Sequence, residues 1–213
     1  MKKKKKNISL ILKLLKKEVG LHKPVVGFES PFKVLISTVL SQRTRDTNTA
    51  KASKNLFKKF PNAKTLAKAK TKEIEKLIKP AGFYRVKAKT IKKIAEELIE
   101  RFSGKVPDSL EELVSLKGVG RKTANCVLVY SFGKPAIPVD VHVHRISNRI
   151  GLVKTKTPEE SEIALMKVFP ESKWIELNDL MVKFGQRKCF PRNPKCTTCS
   201  LNKACDFGRK KLA

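Results

Sequence analysis

From Ile8 to Phe184 the apolar residues return at steps of three and four, and no convincing apolar/polar alternation appears anywhere. That period is the repeat of a helix with one buried stripe, so the chain is predicted to be all-α. Ile8, Ile11, Leu12, Leu15 and Val19 form one such stripe. Ser30-Pro31 supplies an N-cap and a first-turn proline for a helix through Phe32, Leu35, Ile36 and Leu40. Asp46 is read as the cap of another that holds Ala50, Leu56 and Phe57, and Lys72 to Leu77 as a short one stopped by Pro80. The longest runs through Ile91, Ile94, Ala95, Leu98, Ile99 and Phe102. Asp108 with Glu111 and Glu112 opens a helix ending near Leu116, and a second begins at about Arg121. Later helices cover Asp140 to Ile150, the segment opened by Thr157-Pro158-Glu159-Glu160, and the stretch from Trp174 to Phe184.

The 213 residues carry 48 Lys and Arg against 19 Asp and Glu, a net charge of +29. Such an excess holds a compact domain under self-repulsion unless a polyanion neutralises it, and nucleic acid is the obvious partner. Removing Lys2 to Lys6 leaves most of the charge, so it belongs to the folded body and those lysines read as a basic tail. No stretch approaches the ~18 consecutive apolar residues of a membrane span. The run Ile8 to Leu12 is broken by Lys13, Lys16 and Lys17 with no small-residue cleavage site after it, so no signal peptide is expected. The expectation is a cytoplasmic, nucleoid-associated monomer.

Leu116-Lys117-Gly118-Val119-Gly120-Arg121-Lys122-Thr123-Ala124 reads as a helix, a glycine turn and a second helix. Glycines let another backbone approach, and amides at the positive end of the second helix point at an anion, here a DNA phosphate. The contact is to the backbone of any sequence rather than to base edges. Lys122 stands just inside that second helix. Beside Lys117, Arg121 and the helix N-terminus an amine is kept neutral more readily, as nucleophilic attack and Schiff-base formation require. Pro138-Val139-Asp140-Val141-His142-Val143-His144-Arg145 follows. Asp140 serves as an N-cap or as a carboxylate that returns to face Lys122, and the histidines are too few for a His-based metal site.

Five cysteines is an odd number, and four of them, Cys189, Cys196, Cys199 and Cys205, lie within seventeen residues. A secreted disulfide framework spreads its cysteines, whereas a cluster suggests a metal site in a reducing compartment. Zinc ribbons present two tight Cys-x2-Cys pairs, and only Cys196 and Cys199 form one here. A four-iron cube suits the wider spacings better, with zinc as the alternative. Cys126, in an apolar run, reads as a small buried hydrophobe.

These motifs, in this order, resemble the endonuclease III family of base-excision DNA glycosylases, within the helix-hairpin-helix superfamily. The resemblance runs from about Ser30 to Cys205 and rests on Gly-Val-Gly-Arg-Lys-Thr-Ala-Asn, the following Val-Asp-x-His and the cysteine spacing. It implies a six-helix barrel over residues 24–134 with the helix-hairpin-helix at about 109–131. A second helical domain would comprise 1–23 with 135–213, its [4Fe-4S] cluster loop at 189–205, and DNA would bind in the cleft between the two. The substrate class implied is duplex DNA containing damaged, oxidised pyrimidines or abasic sites. Lys122 would attack C1′, expel the base and form an imine that undergoes β-elimination. Asp140 would accept the lysine's proton or stabilise cationic charge on the sugar. Gln42, Arg43, Lys117, Gly118, Val119, Gly120, Arg121, Thr123, His142, Arg192 and Lys195 are the expected DNA contacts. The sequence departs from the family's pattern at Lys117, where many relatives have proline, and at Arg43, where many have a glutamine that fills the gap left by the flipped base. Gln42 or Arg43 must do so here. The alternatives are a monofunctional mismatch glycosylase and a non-catalytic binder of distorted DNA, both disfavoured by the joint presence of Lys122 and Asp140.

Overall fold

A computed structural model of the protein describes residues 6–20 and 30–212. Lys2 to Lys5 of the expected tail, and the expected domain boundary at residues 23–24, lie outside the described residues. In chain order the helices are α1 (Ile8–Val19), α2 (Pro31–Ser41), α3 (Asp46–Lys59), α4 (Ala63–Ala67), α5 (Thr71–Leu77), α6 (Tyr84–Phe102), α7 (Leu110–Ser115), α8 (Arg121–Phe132), α9 (Val141–Ile150), α10 (Pro158–Val168), α11 (Trp174–Arg187) and α12 (Asp206–Leu212). A 3-10 turn, Glu171–Lys173, precedes α11. No strand occurs among the described residues, as the periodicity predicts.

Two compact units emerge, one of residues 30–134 and one of 6–20 with 135–212. The first is built around α8, whose residues Thr123 to Val129 are buried without a break because α2 and α7 both pack on it. The long α6 packs against α2, α4 and α5. Leu35, Ile36, Leu40, Leu56, Ile74, Ile91, Ile94, Leu98 and Val127 are fully buried there. Each contributes about 1.5–3 kcal/mol of apolar transfer, offset in large part by the entropy of ordering the chain. Seven helices are described in this unit, of which α4 is little more than one turn.

In the second unit α1 packs on α11, α11 on α9, and α10 and α12 on α9. Ile11, Leu15, Val143, Ile146, Leu165, Leu177 and Met181 form its core. Hydrogen bonds tie the two ends of the chain together. Lys6 Nζ donates to the Ala204 carbonyl at 2.6 Å and to Asp206 at 2.7 Å, and Glu18 accepts the Ser200 N–H at 2.5 Å. Lys6 is therefore a structural residue and not the end of a basic tail.

Two caps differ from expectation. Ser30 makes no side-chain cap bond, and Asp46 is the first residue of α3 rather than its cap. Ser109, not Asp108, caps α7 by accepting the Glu112 N–H, while Asp108 pairs with Lys134 at 2.7 Å. Thr157 caps α10 as predicted.

Candidate functional site

The α7–α8 corner is held from beneath by α6. Gly118 has a φ of +93°, and a Cβ there would stand 2.5 Å from the Thr90 methyl, so the residue must be glycine both for conformation and for space. Two helical turns along, Glu97 accepts the Lys117 N–H at 3.1 Å and pairs with Arg101. The Val119 N–H bonds back to Leu116 at 3.0 Å. The amides of Lys117 and Val119 are thus used internally, while Gly118 and Gly120 are exposed and no side chain caps the first turn of α8. Val119 and Thr123, both among the expected DNA contacts, have buried side chains, so any contact they make is through the backbone. The packing of α8 on α2 turns Thr123 inward, and Val119 plugs the base of the corner. Lys122, the second residue of α8, is exposed, as is the Lys117 side chain, with Arg121 half-buried beside it.

The end of α2 comes to the same place. Gln42 Nε2 lies 3.5 Å from Thr123 Oγ1, which sets its amide beside the residue that follows Lys122. Arg43 is exposed and adopts a left-handed φ of +51°. Phe83, at the start of α6, does the same at +58° and is 63% exposed, with Val86 one turn on at 65%. Each such residue costs on the order of 1–3 kcal/mol, a strain that clusters at functional sites. Sequence reasoning missed Phe83. Its only signal was an aromatic residue after Gly82 that fits no apolar stripe.

In the second unit Asp140 caps α9, its Oδ1 accepting from the His142 N–H at 2.8 Å and the Val143 N–H at 2.9 Å. Both bonds fall on one oxygen, which leaves Oδ2 outside the cap. His142 is half-buried against Gly185 of α11, where a Cβ would collide with its ring. Arg145 reaches His142 Nδ1 at 3.0 Å and the Cys189 carbonyl at 2.8 Å, which joins the start of α9 to the cysteine segment. His144 is a structural residue, its Nδ1 2.6 Å from the buried Ser161 hydroxyl.

Cys189, Cys196, Cys199 and Cys205 are all outside disulfides and together line one pocket, with Ile150, Phe184 and Leu201 as apolar walls and Arg149 and Lys188 as cations. Arg149 donates to Cys189 Sγ at 3.4 Å and the Gly208 N–H to Cys205 Sγ at 3.3 Å. Burial, with help from Glu18 and the neighbouring cysteines, pushes the Cys199 thiol up to about 11, and burial likewise raises Cys205. These groups ionise together only if a cationic centre offsets them. Among the described residues no three His, Cys, Asp or Glu converge as the ligands of one metal ion do. The four sulfurs nevertheless line one pocket, and donor set, hydrogen bonds to sulfur and neighbouring cations fit a thiolate-bound centre. Arg192 and Lys195 are exposed on the loop between Cys189 and Cys196, as expected. Cys126 is buried in α8.

Residues 36–171 match the family described as HhH-GPD superfamily base excision DNA repair protein. The chain is 58% identical over 181 residues to the endonuclease III of Thermotoga maritima, covering 85% of each chain. Its structure is similar, with a TM-score of 0.89 and 36% identity over 97% of each chain, to an endonuclease III trapped as a covalent intermediate with DNA. A thermostable thymine-DNA glycosylase is also similar, with a TM-score of 0.83 and 26% identity over 95% of this chain and 96% of that one. No helix among the described residues is long and apolar enough to cross a membrane.

Proposed function

The chain belongs to the endonuclease III family of the HhH-GPD superfamily, and from that premise we propose that Lys122 and Asp140 carry its chemistry. The activity is that of a bifunctional base-excision DNA glycosylase and abasic-site lyase, and the partner is duplex DNA. The substrates we infer are damaged, oxidised pyrimidines and abasic sites. The observation that carries the residue assignment is Lys122 itself, an exposed amine in the uncapped first turn of α8.

A base inside the helix is out of reach, so the nucleotide is first flipped, at a cost of a few kcal/mol that is lowest for damaged pairs. Gly118, Gly120 and the α8 N-terminus hold a phosphate, and Lys117, Arg121, Arg192 and Lys195 supply cations for others. The neutral Lys122 amine attacks C1′ as the glycosidic bond breaks and the base leaves with its electron pair. Asp140 takes the proton lost by the amine or stabilises positive charge on the sugar, through the oxygen that the α9 cap leaves outside. Ring opening gives the imine, loss of a C2′ proton expels the 3′ phosphate, and hydrolysis of the imine returns the amine.

We also propose that the four cysteines hold a [4Fe-4S] cluster. When bound, it supplies four iron–thiolate bonds that close the 189–205 loop and hold Arg192 and Lys195 in fixed positions. We further infer work on nucleoid DNA in the cytoplasm, a setting that four free thiols and a polyanionic partner suit.

Single-turnover assays on a duplex with one oxidised pyrimidine test the reading. Wild type releases the base and cuts the strand together, and Lys122→Gln does neither while still binding DNA. Base release without cleavage by wild type indicates a monofunctional enzyme, and binding with neither reaction a non-catalytic one.

A further inference from the structure

Lys87, one turn into α6, is only 6% exposed, and lysine is seldom buried unless its ammonium is fully bonded. Its Nζ donates to the Leu40 carbonyl at 2.7 Å, the Gln42 carbonyl at 2.6 Å and Thr44 Oγ1 at 2.7 Å. Those are three acceptors for the three N–H bonds an ammonium has. The two carbonyls lie at the C-terminal end of α2, where the helix dipole favours a cation. Burial pulls this lysine below the ordinary lysine range, so the site holds a charge against a desolvation penalty.

The ammonium reaches further through Thr44. Thr44 Oγ1 also accepts the Gly82 N–H at 3.1 Å, and Gly82 lies so close to the loop that a Cβ would stand 3.2 Å from the Arg43 carbonyl. Lys87 thus ties the end of α2 to the turn before α6. What the tie holds is Arg43 on one side and Phe83 on the other, both exposed and both left-handed. Two strained backbone conformations on segments in contact persist only where their surroundings over-determine them.

We propose that Lys87 is a positioning residue for duplex distortion, clamping the loop of Gln42 to Thr44 against the turn of Gly82 and Phe83. Arg43 and Phe83 then stand preformed to occupy the space that a flipped nucleotide vacates. Apolar and cationic side chains inserted between bases serve this purpose in proteins that kink DNA. A loop without the clamp has to be ordered at each encounter, which weakens the distorted complex and not the chemistry. The proposal rests on Lys122 acting on a nucleotide flipped from a duplex.

The test compares an abasic site in a duplex with the same strand alone, where there is no gap to fill. Full-length wild type, Lys87→Met and Thr44→Val are assayed by single-turnover strand cleavage and borohydride trapping. Lys87→Met is expected to slow duplex cleavage by roughly 10-fold or more, as small misplacements do, while its single-strand rate stays near that of wild type. Thr44→Val, which deletes only the shared hydroxyl, shifts the same ratio by less. If Lys87→Met does not fold, judged by circular dichroism, Thr44→Val decides alone. Equal slowing on both substrates, or no change in the ratio, overturns the clamp. Absence of trapping by wild type on either substrate counts instead against the Lys122 reading.

Discussion

Asp140 caps α9, and the catalytic task proposed for it can be separated from the cap by choice of substitution. Asparagine caps a helix about as well as aspartate, because its amide oxygen accepts the same two N–H bonds, whereas it cannot take a proton or carry negative charge. Asp140→Asn is therefore expected to melt within a degree or two of wild type and to remove bases slower by roughly 10²-fold or more. Asp140→Ala loses the cap as well, at ~1 kcal/mol. An Asn variant that keeps the wild-type rate would reduce Asp140 to its structural role. At this scale the glycine turn before Lys122, the cap at Asp140 and the clustering of the four cysteines were legible, since each sits in a local pattern of residue types. Lys87 was not, because one lysine among so many is distinguished only by where its ammonium ends, and that depends on α2 and α6 meeting. The burial of the Val119 and Thr123 side chains was not legible either, as burial is a tertiary property that a motif does not encode.

Among the elements, the hairpin depends on Gly118. Alanine there has to take a φ of +93° and push into Thr90, so Gly118→Ala should lower unfolding stability by ~2 kcal/mol or more and weaken binding to undamaged duplex. A variant with unchanged stability would show that the turn relaxes freely. The α1–α11 pairing carries a pH dependence. Glu176 of α11 pairs with Lys16 of α1 at 2.5 Å and with Lys173 at 3.3 Å. Burial acts to raise its pKa, and the two ammonium groups outweigh it and hold the carboxyl below its usual 4.5. The unfolded chain thus binds this proton at higher pH than the folded one, so the stabilisation is present above about pH 4.5 and is lost as pH falls through the lowered value. Thermal unfolding between pH 7 and 3 should show Glu176→Gln losing less of its stability to acid than wild type; parallel losses would exclude the pair as a contributor. The long helices were legible from their stripes, since α1, α6 and α11 each bury one face. Short α4 and α12 were not, as α4 buries only Ala63 and Leu66 and α12 only Gly208, which mark no stripe, whereas the equally short α5 and α7 were flagged by the stop at Pro80 and by Glu111 and Glu112. The misplaced cap at Asp46 shows how a helix start shifts by one residue without altering the pattern, and at the next helix Ser109 takes the cap while Asp108 pairs with Lys134.

For the whole molecule, a net charge of +29 predicts that affinity for undamaged duplex falls steeply with salt, with a log–log slope of about −0.9 per phosphate neutralised. A slope near zero would remove phosphate contact from the account. The cysteine cavity predicts roughly four irons per chain with charge-transfer absorption, and Cys199→Ser should loosen the loop that bears Arg192 and Lys195 and weaken DNA binding. Stoichiometric zinc without iron would contradict the cluster. The helical class and the order of the motifs were readable because both are periodic or local; the grouping of the N-terminal helix with the C-terminal ones came only through the family resemblance, and the bond from Lys6 to Asp206 that fastens it was not readable, since only packing brings the two together. The central claim is that one named amine forms the bond to DNA. Borohydride added while wild-type protein cleaves abasic duplex should fix a covalent adduct, and mass spectrometry of its peptides should find the reduced sugar remnant on Lys122 alone. A remnant on any other lysine, or trapping undiminished in Lys122→Gln, would contradict it.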